Sequence, residues 1–406
     1  MIILIVSQHG SLIDISVKYG ALYAAIEIAK YLVKDKKHQV YFAGLSSHSY
    51  STITEYKDNI IYLLAPNEND LKKLISKTLK NVDILIQMSR LDYMFIVKSY
   101  KHIIYHHNPC KIYFKNISGT GIINFFKIPI ICVSKFSSYE QMSYAIEENL
   151  IKIIPNGYNL NVFEPREIDF RIPHSIIFAG NIIDYKGIDI GLKAFIKIKA
   201  YYPNSVFNIC GNDTSWLHVN NHFFQSNWLD RNGFPIWSVI EKEIRGCKYL
   251  GELSQRELAE QFQRSSILIT PSRIGETFGL VSLESQACGC IPVLPNSGGF
   301  PETLENDITG YLYEENTPEK LAYTILSLWD KGLPTEKQRI AAQIWSQSNF
   351  SWDKAGANLL EVIENMPKTK YPMLINFFFC WTVALIHSLQ NKTKILFTRR
   401  KHDYKL

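Results

Sequence analysis

The chain has 406 residues, too many for one hydrophobic core and about enough for two domains. Hydrophobic residues make up 46% and charged residues 20%, the proportions of a globular protein that can bury large cores. A net charge of +6 suits anionic small molecules or an anionic membrane surface and is too weak to argue for nucleic acid.

The opening residues, MIILIVSQHG, lack a basic region and a cleavage site, and their apolar run is too short for a signal peptide. They predict a buried first strand over 2–6. Further strands are expected at QVYFA (39–43), DILIQ (83–87), HIIY (102–105) and IICV (130–133). After an irregular stretch the pattern restarts with SIIFA (175–179), VFNIC (206–210), SILIT (266–270) and CIPVL (290–294). Helix-length amphipathic segments separate these runs. Continuously apolar strands alternating with helices predict α/β architecture: parallel, doubly wound sheets covered on both faces. The restart places a domain boundary between Pro165 and Pro173. Residues 216–245, with Trp216, Trp228 and Trp237, read as an insertion or elaborated loop. The seven cysteines are scattered, mostly in apolar runs and without a CxxC, as expected of buried thiols in a cytosolic protein. They give no support to a zinc site.

Two such domains leave a cleft, and in open α/β sheets ligands bind beyond the carboxyl ends of the strands. The segments just after strands are therefore the informative ones. SILIT is followed by the loop RIGETFG and the helical run LVSLESQACG, which puts Glu276 in a loop and Glu284 in the early part of a helix. Peptide N–H groups around Thr277, Phe278, Gly279 and Leu280 would sit at that helix's start, where they suit a phosphate. Gly279 lets a ligand approach the backbone closely. Carboxylates on either side can accept hydrogen bonds from vicinal hydroxyls, one from a transferred sugar and one from a ribose. By spacing alone, two ordinary glutamates near a helix start would look the same.

Other segments add to this. After SIIFA, Gly180 permits a tight turn and Lys186, before Gly187, can place an ammonium over a diphosphate. In PNSGGFPE (295–302), Gly298 and Gly299 make a turn able to approach a ligand. KIIPNGYNLNVFEP (152–165) precedes the domain boundary, and YHHNP (105–109) ends a first-domain strand.

Together these segments resemble the retaining glycosyltransferases of the GT-B fold, specifically glycosyltransferase family 4, also called glycosyl transferases group 1. The patterns are Glu276-x7-Glu284; Gly180-Asn181 followed by Lys186-Gly187; Asn156-Gly157 with Asn159 and Phe163; Gly298-Gly299-Phe300-Pro301-Glu302; and the return-helix start Phe350-Ser351-Trp352. Each is weak alone, but five in the right order are strong. The resemblance covers roughly residues 1–365. It implies two Rossmann-like domains facing across a cleft: an acceptor-side domain over 1–168 and a nucleotide-sugar-binding domain over 169–349. A return helix over 350–366 and an apolar, basic tail over 367–406 would follow.

The resemblance also implies roles. Glu276 would bond hydroxyls of the donor sugar, Glu284 the ribose hydroxyls, and Lys186 the diphosphate leaving group together with the N–H groups after Glu276. Charge growing on that diphosphate is the main thing to stabilise. His107 matches a histidine beside the anomeric centre, while His106 should point the other way because strand side chains alternate. Gly20 matches the second glycine of a pair in the first strand–helix loop, with Tyr19 in place of the first. A sharper departure is Asn181, which stands where the family has an arginine. An amide does not replace a bidentate guanidinium. Lys186 alone, or Lys135 or Arg273, would have to serve.

No carboxylate stands out as a nucleophile, which fits a front-face retaining mechanism. No metal or other cofactor is expected, since no Asp-x-Asp motif occurs. The partners implied are a nucleotide-sugar and a saccharide or lipid-linked acceptor, in polysaccharide or lipopolysaccharide assembly, with no nucleic acid. The segment YPMLINFFFCWTVALIHSL (371–389) is apolar between basic flanks and borderline as a membrane span. It reads as a helix packed on the protein, a membrane-surface or re-entrant anchor, or a span. The basic residues up to Lys401 favour peripheral contact through 371–401 with anionic lipid, at the cytoplasmic face of a membrane. The rival functions are a nucleotide-sugar epimerase, which needs further acid–base groups, and a non-catalytic sugar-nucleotide-binding protein. A dinucleotide dehydrogenase is disfavoured because no GxGxxG follows the first strand.

Overall fold

A computed structural model describes residues 1–8, 20–34, 36–46, 51–96, 98–107, 113–114, 117–166, 171–212, 228–230 and 235–366. The chain forms two compact units, Met1–Pro155 with the chain from Trp352, and Asn156–Ser351.

The first unit runs β1 (Ile2–Val6), α1 (Gly20–Val33), β2 (Gln39–Leu45), β3 (Ile53–Lys57), β4 (Ile60–Ala65), α2 (Glu68–Thr78), β5 (Asn81–Met88) and β6 (Lys98–His106). A short antiparallel pair, β7 (Tyr113–Phe114) and β8 (Ile117–Ser118), precedes α3 (Thr120–Phe126), β9 (Ile130–Cys132), α4 (Lys135–Ser143) and β10 (Ile151–Ile153). The main sheet has the order β10-β9-β6-β5-β1-β2-β4-β3 and is parallel except between β3 and β4. β1 lies in its interior, with Ile3 beside both Val40 and Ile84. Its residues Ile3 to Val6 are buried, as their unbroken apolar run requires.

The β3–β4 hairpin was not among the expected strands. Asp58 and Asn59 turn it through the left-handed region (φ 51° and 61°), where short polar side chains are tolerated. Every residue of β3 is exposed, so ITEYK has no buried face to imprint a pattern. Between β1 and β5 the strand order reverses direction, and Arg90 closes that point. Its guanidinium donates to the Ser7 carbonyl (3.2 Å), to both oxygens of Asp92 (2.8 and 3.0 Å) and to both of Glu68 (3.1 and 2.9 Å). Burial alone would raise the two carboxyls, but hydrogen bonds and charge from Arg90 hold both below their ordinary range.

The second unit runs β11 (Ser175–Ala179), α5 (Ile188–Tyr201), β12 (Val206–Cys210), α6 (Trp237–Glu243), β13 (Cys247–Gly251) and α7 (Gln255–Arg264). It continues with β14 (Ile267–Ile269), α8 (Leu280–Ala287), β15 (Ile291–Pro295), β16 (Tyr311–Tyr313), α9 (Pro318–Asp330) and α10 (Glu336–Asn349). Its sheet is wholly parallel, in the order β13-β12-β11-β14-β15-β16. Phe178, Phe195, Phe207, Ile267, Ile269 and Val293 are fully buried between sheet and helices. Part of the stretch expected to be irregular is regular: Trp237–Glu243 is helical and leads into β13. Residues 213–227 and 231–234 lie outside the described residues.

The second unit takes up the chain at Asn156, before the expected boundary at 168/169. The reason is packing. The Tyr158 hydroxyl donates to Ser346 Oγ (3.2 Å), the rings of Phe163 and Phe262 lie 6.2 Å apart, and Gln263 donates to the Glu164 carbonyl (2.7 Å). The chain returns to the first unit as α11 (Trp352–Asn365). Trp352 meets Tyr23 edge-on at 5.8 Å, and Gly356 lies against the Tyr31 ring, where a Cβ would come within 2.1 Å.

Candidate functional site

The chain leaves β11 outward through β12 and β13, then returns to place β14 on β11's other side. Strand direction of travel therefore reverses between β11 and β14, the place where open α/β sheets accept ligands. The loops that follow these two strands carry Lys186 and Glu276.

After β11, the Gly180 N–H donates to the Cys210 carbonyl (3.0 Å). A Cβ on Gly211 would lie 1.8 Å from the Gly180 oxygen, so a second glycine, not singled out from sequence, lets these loops pass. Asn181 follows, its carbonyl accepting from the Ile183 N–H (3.1 Å). One 3-10 turn, Asp184–Lys186, then leads to Gly187 in the left-handed region (φ 70°), from which α5 starts. A Cβ on Gly187 would sit 2.0 Å from the Pro271 carbonyl oxygen. The loop after β11 thus rests directly on the loop after β14.

Across that contact the Lys186 ammonium reaches Glu276 Oε1 at 2.5 Å, with both side chains about one-fifth exposed. Two residues expected at the site from separate motifs are therefore paired. Arg273, considered as a substitute cation, is engaged elsewhere. It grips both oxygens of the buried Asp189 (2.8 and 2.7 Å), and its guanidinium also donates to the Asp184 carbonyl. Its backbone N–H donates to the Tyr185 carbonyl (2.7 Å), which the Ser272 hydroxyl also reaches (3.1 Å).

Glu276 leads into Thr277, Phe278 and Gly279. Gly279 has φ 98° and precedes Leu280, the first residue of α8, without a side-chain cap on the helix start. Phe278 offers its backbone and not its ring, which packs edge-on against Phe350 at 5.8 Å. The Gly298–Gly299 turn, expected to approach a ligand, lies against the backbone of the Glu276 loop. A Cβ on Gly298 would lie 2.5 Å from the Glu276 nitrogen, and one on Gly299 2.6 Å from the Thr277 oxygen. The Gly299 N–H donates to the Glu276 carbonyl (2.7 Å). These glycines press a second loop against the backbone of the Glu276 loop and fix its path.

Glu284 lies on α8, one to two turns from Gly279, and is buried. Burial raises its carboxyl from the ordinary range to about 7. Burial makes the charged form of this carboxyl costly, as is common for groups at ligand sites.

His107 and Gly20 belong to the first unit. The His107 ring stacks on Tyr105 (4.8 Å, 10°), and its N–H in the backbone donates to Ser89 Oγ (3.1 Å). Burial, with His106 beside it, lowers its pKa to about 3, so the imidazole is neutral near pH 7. It suits hydrogen bonding to a neutral group and not service as a cation. His106 points away, with Nε2 2.9 Å from the Gln141 amide nitrogen. Gly20 begins α1 at φ 72° with open space where a Cβ would be. Tyr19 lies outside the described residues. Lys135, the other substitute cation considered, is the exposed first residue of α4 in the first unit.

No group of three or more His, Cys, Asp or Glu among the described residues is placed to hold a metal ion. Cys132, Cys210, Cys247, Cys288 and Cys290 are buried and free. No helix among the described residues is long and apolar enough to cross a membrane, and the tail segment 371–401 lies outside them. The sequence reading missed the roles of Asp189 and Arg273. The only signal was an acid two residues after Lys-Gly and an arginine three before Glu276.

Residues 171–345 match the family model described as glycosyl transferases group 1. An uncharacterized glycosyltransferase of Methanocaldococcus jannaschii is 26% identical over 242 residues, covering 58% of this chain and 59% of that one. A GDP-mannose-dependent monoacylated alpha-(1-6)-phosphatidylinositol monomannoside mannosyltransferase of Corynebacterium glutamicum is 28% identical over 232 residues, covering 53% and 56%. The chain spans between half and three-fifths of the length of these curated relatives. Among solved structures, a glycosyltransferase from Rickettsia africae superposes with a TM-score of 0.69 at 21% identity over 92% of this chain and 99% of that one. Anabaena HepE in complex with UDP and glucose gives 0.67 at 16% identity over 90% and 99%. The second unit therefore carries a domain matching the glycosyl transferases group 1, in a chain with the GT-B fold of two Rossmann-like parallel-sheet domains.

Proposed function

We propose that the protein is a retaining glycosyltransferase of family 4 that moves a sugar from a nucleotide-sugar donor to a saccharide or lipid-linked acceptor. The observation that carries this reading is the meeting of Lys186 and Glu276 at the point where the second sheet reverses, with Glu284 further along α8. Lys186 leaves Glu276 to neutralise the donor diphosphate, aided by N–H groups from Thr277 to Leu280 at the start of α8. Glu276, released, accepts hydroxyls of the sugar. Glu284 accepts the ribose hydroxyls, whose hydrogen bonds offset the cost of its burial. Bond cleavage places negative charge on the diphosphate, where a preorganised ammonium helps most. The departing phosphate takes the acceptor's proton on the same face, so the anomeric configuration is kept. His107, neutral, donates or accepts a hydrogen bond at the sugar. No metal or other cofactor enters this scheme.

The acceptor is read from the basic, apolar tail: a lipid-linked saccharide in polysaccharide or lipopolysaccharide assembly at the cytoplasmic face of a membrane. The Corynebacterium relative, named for a phosphatidylinositol mannoside acceptor, agrees with such a class. A second reading, a non-catalytic sugar-nucleotide-binding protein, is favoured by Asn181 alone, which leaves Lys186 without a second cation on its loop.

A hydrolysis screen of UDP-, GDP-, ADP- and dTDP-sugars, followed by proton NMR, tests the first reading. Release of one sugar in the donor's own anomeric configuration is the expected result. Tight binding of a donor without any release, with and without candidate acceptors, would favour the second.

A further inference from the structure

We infer that Arg273 and Asp189 are positioning residues for Lys186, acting on the donor diphosphate through it and not touching the donor themselves. The inference rests on the proposed reading in which Lys186 meets that diphosphate.

The loop that carries Lys186 is one 3-10 turn long, Asp184–Lys186, and opens from an extended residue, Ile183. So short a turn does not fix a long flexible ammonium side chain by itself. What fixes it comes from the other loop. Arg273 spans the turn: its guanidinium takes the Asp184 carbonyl before Lys186 and both oxygens of Asp189 after it. Its own N–H takes the Tyr185 carbonyl at 2.7 Å, and Ser272 Oγ reaches the same carbonyl at 3.1 Å. The backbone just before Lys186 and the Asp189 carboxylate just after it are thereby tied to Arg273, three positions before Glu276. Gly187 completes the tie, since only a residue without a Cβ rests this closely on the Pro271 carbonyl.

The choice of residue types supports a geometric role. Asp189 is 3% exposed and sits in the first turn of α5, while Lys193 reaches it from one turn on at 3.5 Å. A bidentate guanidinium–carboxylate pair has a fixed plane and fixed spacing. Such a pair near the interior adds little net stability against its desolvation, so its value lies in the geometry it imposes. A lysine at 273 would keep the charge and lose the fork. The same engagement explains why Arg273 does not replace the arginine absent at Asn181: its guanidinium is directed at the Asp184 carbonyl and the Asp189 carboxylate.

Binding measurements on the full chain separate this from general structural support. UDP, GDP, ADP and dTDP are titrated calorimetrically, and the tightest is compared with its parent nucleoside by competition. Lys186→Ala should weaken the diphosphate about tenfold and leave the nucleoside unchanged, since tenfold corresponds to one lost contact of about 1.4 kcal/mol. Arg273→Lys and Asp189→Asn, both milder than truncation, should weaken the diphosphate about three- to tenfold, again without effect on the nucleoside. In a Lys186→Ala background neither should change diphosphate affinity further, because residues acting through one side chain are not additive. The same factor in both backgrounds would overturn the positioning role while leaving Lys186 on the diphosphate. Equal losses for nucleoside and diphosphate would overturn it as well, in favour of loop folding alone. If Lys186→Ala itself costs no diphosphate affinity, the proposed placing of Lys186 fails and this inference fails with it.

Discussion

Gly187 and the carbonyl of Pro271 approach so closely that a methyl group on Gly187 would lie 2.0 Å from the oxygen. The loops after β11 and β14 are thus in backbone contact beside Lys186 and Glu276. Gly187→Ala should destabilise the second unit by about 3 kcal/mol or more, combining a left-handed φ with a clash that only backbone movement relieves. Gly332 has nearly the same φ (68° against 70°) and nothing within 4 Å of a Cβ, so Gly332→Ala should cost about 1 kcal/mol. Urea denaturation of both variants checks the difference. Equal losses would mean that the loops are not in contact.

Glu284 gives a pH signature. Its carboxyl is raised by burial to about 7 in the folded chain. Between the ordinary carboxylate range and pH 7 the folded state holds a proton that the unfolded state has lost. Acidification through that window therefore adds stability, and the full cost of the buried charge is present above pH 7. Glu284→Gln should be more stable than the parent above pH 7, by on the order of 1–3 kcal/mol, and indistinguishable from it below about pH 4. Thermal unfolding across pH measures this. Nucleotide affinity should move the opposite way, falling in the parent as pH drops below 7 and staying low and flat in Glu284→Gln. A parent affinity independent of pH would remove Glu284 from the ribose.

The alternating apolar runs were enough to place the strands that carry the candidate site, β11, β14 and β15, because strands buried on both faces show as unbroken hydrophobic stretches. β3 left no such mark, being exposed along its length. Lys186, Glu276 and Glu284 were legible as spacing within loops and a helix. Their relation was not: the Lys186–Glu276 pair joins residues ninety apart, and only strand order brings them together. Gly298 and Gly299 stood out as a motif, but their role is backbone against backbone, which a single chain read in order does not reveal. The pairing of Arg273 with Asp189 was hidden for the same reason: Arg273 stood out only as a possible phosphate cation, and Asp189 not at all, until strand order brings them together.

Asn181 opens a gain-of-function test. Asn181→Arg should raise donor affinity several-fold, on the order of 1 kcal/mol, if its side chain can reach the phosphates that Lys186 meets. Surface plasmon resonance with the preferred nucleotide-sugar reads this. No gain, in a folded variant, would place position 181 away from the diphosphate.

The tail carries the membrane proposal. The 406-residue chain should sediment with vesicles containing anionic lipid and not with neutral ones. Binding should weaken at high salt, because each basic residue near the surface contributes about 1 kcal/mol that counterions screen. Replacing Arg399, Arg400 and Lys401 with serine should release much of the bound fraction. Salt-independent binding to both vesicle types would rule out an electrostatic anchor.

The most direct measurement is the steady-state rate of donor cleavage by the parent chain and by Lys186→Ala, using the donor the screen selects. With the ammonium placed on a leaving group that gains charge in the transition state, kcat should fall about a hundredfold, or about 2.7 kcal/mol, while KM changes by less than about fivefold. Cleavage should persist in a chelator, since the chain's own cation and helix start do the phosphate work. A Lys186→Ala variant that keeps the parent kcat would contradict the account.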